Sequence, residues 1–129
     1  MKKTLFTGVA TALATPFNET GVNTKEFAKF IEYQIESGVD ALVVCGTTGE
    51  SSTMTLQEKI DAIKCVINSV NNSERKIPVI VGTGSNNTST AIQTSIIAEE
   101  LGADGLLVIT PYYNKTTQQG LIEHFKAIS

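Results

Sequence analysis

The sequence contains no tryptophan, one histidine, two cysteines and three prolines in 129 residues. Cys45 and Cys65 lie far apart, form no CxxC pair and make no secreted-type disulfide framework, so a reduced, cytoplasmic setting is expected. One histidine and two separated cysteines cannot supply metal ligands at workable spacing, and neither a metal nor another cofactor is expected. Long apolar runs are missing as well. The longest, Ala41 to Cys45 and Leu106 to Ile109, fall far below the roughly 18–20 residues of a membrane span. Met1-Lys2-Lys3 begins like the basic region of a signal peptide, but Thr4, Thr7, Gly8, Thr11, Thr15 and Pro16 interrupt the stretch after it, and no export signal is read. Ten basic against thirteen acidic residues give a net charge of -3 without a block of either sign, which argues against nucleic acid as a partner. Low-complexity tracts are also absent. With 41% hydrophobic and 18% charged residues, the chain is expected to bury a core as one domain over residues 1–129.

What is present is an alternation of short β-branched apolar runs with longer segments whose apolar residues recur at helical spacing, a βα signature. A first strand is expected within Gly8 to Ala14, ended by Thr15-Pro16-Phe17. From Asn23 to Ser37 a helix is expected, with Phe27, Phe30, Ile31 and Ile35 on one face and Gly38 as its stop. A second strand spans Ala41 to Cys45. The following helix begins at Thr55, with Glu58 at capping-box spacing and an inward stripe of Leu56, Ile60, Ile63, Ile67 and Val70. A third strand, Val79 to Val81, precedes a helix carrying Ile92, Ile96, Ala98 and Leu101. A fourth, Gly105 to Ile109, precedes a helix from about Thr117 with Leu121, Ile122, Phe125 and Ile128 inward. Strands apolar on both faces imply a parallel sheet with right-handed crossovers. The pattern leaves open whether it is doubly wound or part of a barrel.

In either architecture ligands bind at the carboxyl ends of the strands, so the loops after the strands carry the functional signal. In Gly46-Thr47-Thr48-Gly49-Glu50-Ser51, turn-forming glycines and paired threonine hydroxyls make a nest suited to a carboxylate or phosphate; an ordinary βα turn accounts for the same residues. Gly82-Thr83-Gly84 resembles part of a dinucleotide fingerprint, but Asn87 stands where the third glycine would fall. Tyr112 and Tyr113 follow Pro111 on the last loop, where one phenol can carry a proton and the other pack, or both can anchor the loop. His124 lies on the final helix, away from these loops, and suits a surface or helix-packing role.

The Gly46 to Ser51 motif, Glu58 at its offset, Thr110-Pro111-Tyr112-Tyr113-Asn114, Phe6-Thr7-Gly8, Gly82-Thr83-Gly84 and His124-Phe125-Lys126-Ala127-Ile128 together resemble the dihydrodipicolinate synthase family along nearly the whole chain. N-acetylneuraminate lyase and related pyruvate aldolases are similar in the first motif but less so around Tyr112-Tyr113. The resemblance implies an α/β fold, the (β/α)₈ TIM barrel, of which this chain supplies the first four βα units while the C-terminal half is absent. It also implies a homo-oligomeric lyase in which pyruvate forms a Schiff base with a lysine and the enamine attacks aspartate semialdehyde, in lysine and diaminopimelate biosynthesis.

By the same resemblance, Thr48 holds the pyruvate carboxylate, and Thr47 and Tyr113 belong to a hydroxyl proton relay, Tyr113 reaching into a neighbouring subunit. The family's third relay tyrosine, carboxylate-binding arginine and Schiff-base lysine fall beyond Ser129. Lys115 and Lys126 follow the last loop or lie on a helix, neither on a strand in dry surroundings that would make an ammonium nucleophilic. Positions matching a lysine-feedback pocket are Ser51, Leu56, Lys59, Asn86, Thr90 and Tyr112; the cation at Lys59 and the lack of a carboxylate at Thr90 disfavour a cationic effector. Two alternatives stand beside this reading: another pyruvate-dependent class I aldolase, and a non-catalytic half-barrel that serves as an assembly module.

Overall fold

A computed structural model describes residues 4–129; the Met1-Lys2-Lys3 start lies outside them. In chain order the elements are β1 (Ala10–Ala12), β2 (Phe17–Asn18), β3 (Gly21–Val22), α1 (Thr24–Glu36), β4 (Ala41–Val44), a 3₁₀ turn (Thr47–Gly49), α2 (Leu56–Asn72), β5 (Val79–Gly82), α3 (Thr88–Glu100), β6 (Gly105–Leu107) and α4 (Gln118–Ile128). The main sheet is parallel, in the order β1-β4-β5-β6. Its strands therefore follow one another without reversal, and α1 packs on α2, α2 on α3 and α3 on α4. This is the succession of a (β/α) barrel rather than of a doubly wound sheet.

Local chemistry sets the helix starts. The Asn23, Asn87 and Thr117 side chains each accept an amide of the first turn of α1, α3 and α4. Thr55 and Glu58 form the full capping box at α2. Two helix exits share one device. After α1 the chain turns at Gly38 (φ 90°) and Asp40 accepts the Val9 amide at 2.8 Å; after α3 it turns at Gly102 (φ 99°) and Asp104 accepts the Val79 amide at 2.9 Å. Each aspartate thus ties the start of its own strand to the preceding one. The polar segment before β5 is structural too. Lys76 Nζ donates to the Val70, Asn71 and Ser73 carbonyls at the end of α2, and Arg75 donates to the Ile35 carbonyl.

The core lies between the sheet and its helices, where Leu13, Leu42, Val44, Val79 and Val81 meet Phe27, Ile31, Ile63 and Val66. Each such side chain contributes roughly 1.5–3 kcal/mol by leaving water. The opposite face carries the register row Ala12, Val43, Ile80 and Gly105, and beyond it Leu107, 45% exposed. Both faces are apolar, as expected of barrel strands.

Several inward faces differ from the periodicity reading. On α2 the buried residues are Ala62, Ile63, Val66 and Val70, whereas Leu56, expected inward, is 53% exposed, Ile60 is half-buried and Ile67 packs against the edge of the core. On α3 the small residues Ala91, Thr94, Ser95 and Ala98 are buried and Ile96 faces out; on α4 His124 is buried and Ile122 faces out. Small side chains let a helix approach its neighbours closely, so the large apolar residues stand at the margins. The β2–β3 hairpin was also not expected. Asn18 Oδ1 accepts the Thr20 amide at 2.9 Å in its turn, and the hairpin packs against α2.

Candidate active site

Because the strands are parallel, the segments after β1, β4, β5 and β6 emerge at one rim, bringing Thr47, Thr48, Ser51, Asn86, Tyr112 and Tyr113 to the same end of the sheet. Among the described residues three non-glycine residues have a left-handed backbone: Cys45 (φ 57°), Glu50 (φ 58°) and Tyr113 (φ 63°). All three belong to this rim. Cys45 and Glu50 bracket the Gly46–Gly49 turn, and such strain persists only where the surroundings over-determine it, as they do at functional sites.

Within the turn, the amides of Gly49 and Ser51 bond to the Gly46 carbonyl and that of Glu50 to the Thr47 carbonyl. The nest is therefore narrower than expected: the turn itself uses those amides, and the amides and hydroxyls of the exposed Thr47 and Thr48 remain for a ligand.

Neighbouring rim segments interlock through close approaches that only glycine permits. A Cβ on Gly49 would stand 2.8 Å from Thr15 Oγ1 and 2.9 Å from the Leu13 carbonyl oxygen. One on Gly82 would collide with the Cys45 carbonyl, and one on Gly84 would stand 2.6 Å from both the Ile109 nitrogen and its Cγ1. Each loop is seated on the next. Thr15 is buried beneath the 3₁₀ turn with no partner for its hydroxyl among the described residues. Thr83 is also buried, its oxygen accepting from Ser95 Oγ at 2.8 Å.

The Tyr112-Tyr113 segment is tied to the loop after β5. Asn114 Nδ2 donates to the Asn86 carbonyl at 2.6 Å, and His124 Nδ1 lies 2.8 Å from Thr88 Oγ1. Buried against α3, His124 packs helices, the role expected of it. Tyr112 is 44% and Tyr113 99% exposed, and no hydrogen bond joins Thr47, Thr48 and Tyr113 to one another among the described residues. Of the six positions that the resemblance matches to a feedback pocket, Leu56, Lys59 and Thr90 line one groove of about 560 Å³ between α2 and α3, with Ile96 and Ile97; Ser51, Asn86 and Tyr112 do not line it.

Cys45, at the head of the turn, is buried, and burial pushes its thiol up to about 11; Cys65 is raised by burial as well. Neither is a ready nucleophile. Lys115 is exposed, and Lys126 pairs with Glu123 at 3.1 Å on an exposed helix face. Among the described residues no group of His, Cys, Asp and Glu could hold a metal ion, and no helix is long and apolar enough to cross a membrane.

A succession of parallel βα units with glycine-seated polar loops at the carboxyl ends of the strands defines a partial (β/α) barrel whose candidate site lies on that rim. Residues 5–129 match the dihydrodipicolinate synthetase family, and the chain belongs to it. It is 57% identical over 125 residues to 4-hydroxy-tetrahydrodipicolinate synthase 1 of Clostridium acetobutylicum, covering 97% of this chain and 42% of that one. The solved dihydrodipicolinate synthase of Cyanidioschyzon merolae with lysine bound superposes with a TM-score of 0.90 at 43% identity, covering 98% of this chain and 42% of that one. The chloride-inhibited synthase of Acinetobacter baumannii complexed with pyruvate gives 0.89 at 44%, covering 97% and 42%. The chain thus spans 42% of the length of the Clostridium acetobutylicum relative, the barrel's N-terminal part.

Proposed function

We propose that this chain supplies the carboxylate-binding and proton-relay part of a lyase that condenses pyruvate with L-aspartate 4-semialdehyde through a lysine Schiff base. The observation that carries the reading is that, among the described residues, left-handed non-glycine backbone is confined to the Cys45–Glu50 turn and Tyr113, the segments bearing Thr47, Thr48 and the phenol. In this reading Thr48 donates to the pyruvate carboxylate. Thr47 and Tyr113 pass a proton along hydrogen-bonded hydroxyls, so that no single group has to hold a stable charge.

In this reading the nucleophilic lysine comes from outside these residues, since no lysine among the described residues stands on a strand and Lys115 and Lys126, the two nearest the last strand-end loop in sequence, are exposed to water. The fully exposed Tyr113 side chain supports a homo-oligomer in which that phenol completes a neighbouring subunit's relay. The complete enzyme works in the cytoplasm. The pyruvate bound in the Acinetobacter baumannii relative favours pyruvate as the first substrate.

The test uses a hybrid in which residues 1–129 replace the matching stretch of the Clostridium acetobutylicum synthase. Borohydride reduction with pyruvate, read by mass spectrometry, is expected to label the hybrid and not residues 1–129 alone. An adduct on the isolated chain would place the nucleophile inside it and overturn the assignment. A labelled hybrid that uses other aldehydes in preference to aspartate semialdehyde would identify a different pyruvate aldolase. A hybrid that takes no label would leave the non-catalytic assembly module as the better reading. In the hybrid, Tyr113→Phe is expected to lower turnover by roughly 10²–10⁴-fold through the loss of one acid-base group.

A further inference from the structure

We infer that Asn114 is a positioning residue that pins the left-handed turn carrying Tyr113 to the loop after β5, an inference that rests on Tyr113 acting as the relay phenol. Left-handed backbone brings the Cβ of an ordinary residue against the following carbonyl, so a tyrosine does not hold φ 63° unaided. Within the chain, packing of its own side chain is not the restraint, because the ring is 99% exposed. The restraint inside one subunit acts through neighbouring residues.

Three contacts join residues 109–124 to residues 84–88. Ile109 is seated on Gly84, Asn114 Nδ2 donates to the Asn86 carbonyl at 2.6 Å, and His124 Nδ1 meets Thr88 Oγ1 at 2.8 Å. The first and last fix where the loop begins and where α4 docks. Only the Asn114 bond acts at the residue next to Tyr113. It spans 28 positions in sequence and ends on a backbone carbonyl, so it depends on the path of the β5 loop and not on a second side chain. An amide can donate there, whereas a carboxylate of the same shape would present lone pairs to a carbonyl oxygen.

Asn114 touches neither the threonine turn nor a reacting atom in this reading. Its loss should therefore loosen the phenol without altering pyruvate binding. A misplacement of about 1 Å in a catalytic group can cost on the order of 10²-fold.

The experiment is a double-mutant cycle in the hybrid synthase. Asn114→Asp and Asn114→Ala are each expected to lower kcat by about 10–10²-fold with the KM for pyruvate unchanged. Either substitution added to Tyr113→Phe is expected to cause no further loss. Because Asn114 is exposed, the thermal midpoint should stay within a few degrees of the parent. Losses that multiply in the double variant would mean that Asn114 acts independently of Tyr113 and would overturn the inference. Unchanged kcat in the Asn114 variants, beside a slow Tyr113→Phe, would do the same while leaving the relay intact. An unaffected Tyr113→Phe would instead remove the relay reading itself. Hydrogen exchange supplies a check that does not involve turnover. Asn114→Ala should speed exchange of the amides of residues 112–115 and leave α2 unchanged, and equal protection in parent and variant would refute the pin.

Discussion

Replacing Gly82 by alanine should damage the candidate site far more than its one added methyl group suggests. The new Cβ would collide with the Cys45 carbonyl oxygen and lie 2.8 Å from the Cys45 carbonyl carbon and 3.1 Å from the Gly46 nitrogen. These are backbone atoms between paired strands and cannot swing aside as a side chain would. Relief requires β4 and β5 to separate or the Cys45–Gly46 peptide to rotate, and Cys45 already sits at φ 57° immediately before the threonine turn. Overpacking of this kind costs about 1–3 kcal/mol. Gly38→Ala is the control, since a Cβ there meets nothing within 4 Å and only its φ of 90° opposes the change. Its cost is on the order of 1–2 kcal/mol, at the opposite end of the strands. Chemical denaturation of the hybrid synthase should therefore show comparable losses for both variants. Pyruvate kinetics should separate them, with a raised KM for Gly82→Ala and a parental KM for Gly38→Ala. A parental KM in a folded Gly82→Ala variant would refute the claim that this contact sets the turn.

Thr48→Val should weaken pyruvate binding by about 1.5–3 kcal/mol, the value of a hydrogen bond to a charged group, and an unchanged pyruvate KM in the hybrid would count against the assignment. Lysine should inhibit that hybrid weakly or not at all, because Lys59 and the uncharged Thr90 line the α2–α3 groove; half-inhibition at submillimolar lysine would contradict this. Thr55→Ala should cost about 1 kcal/mol at neutral pH. Glu58 is held below the ordinary carboxylate value of 4.5 by the Thr55 amide, then by its hydroxyl, so its share of stability is present above that value and lost as pH falls through the lowered one; stability curves for parent and Glu58→Gln should converge in acid. Cys45 has a raised folded value, so its contribution is full below 9.0 and lost as pH rises through about 11, and it should resist alkylating reagents at pH 8 until the protein unfolds.

Much of this molecule was readable from the chain because the relevant signals are local. The capping box at Thr55 and Glu58, Gly38 after the first helix, and the β-branched runs at Ala41 and Val79 act over a few residues, and the elements formed where they point. The rim loops followed from strand direction, and the family resemblance attached chemistry to Thr47, Thr48 and Tyr113. Tertiary structure alone decided which helix faces turned inward, because burial depends on what stands opposite a residue as well as on its own hydrophobicity. Ala62 and Ser95 went in while Leu56 and Ile96 stayed out, since close approach rewards small side chains. It alone also revealed the left-handed Cys45 and Tyr113, the seating of Gly82 and Gly84 on neighbouring loops, and the Asn114 bond to Asn86. Each of these is a meeting of segments remote in sequence, which no short window of residues encodes.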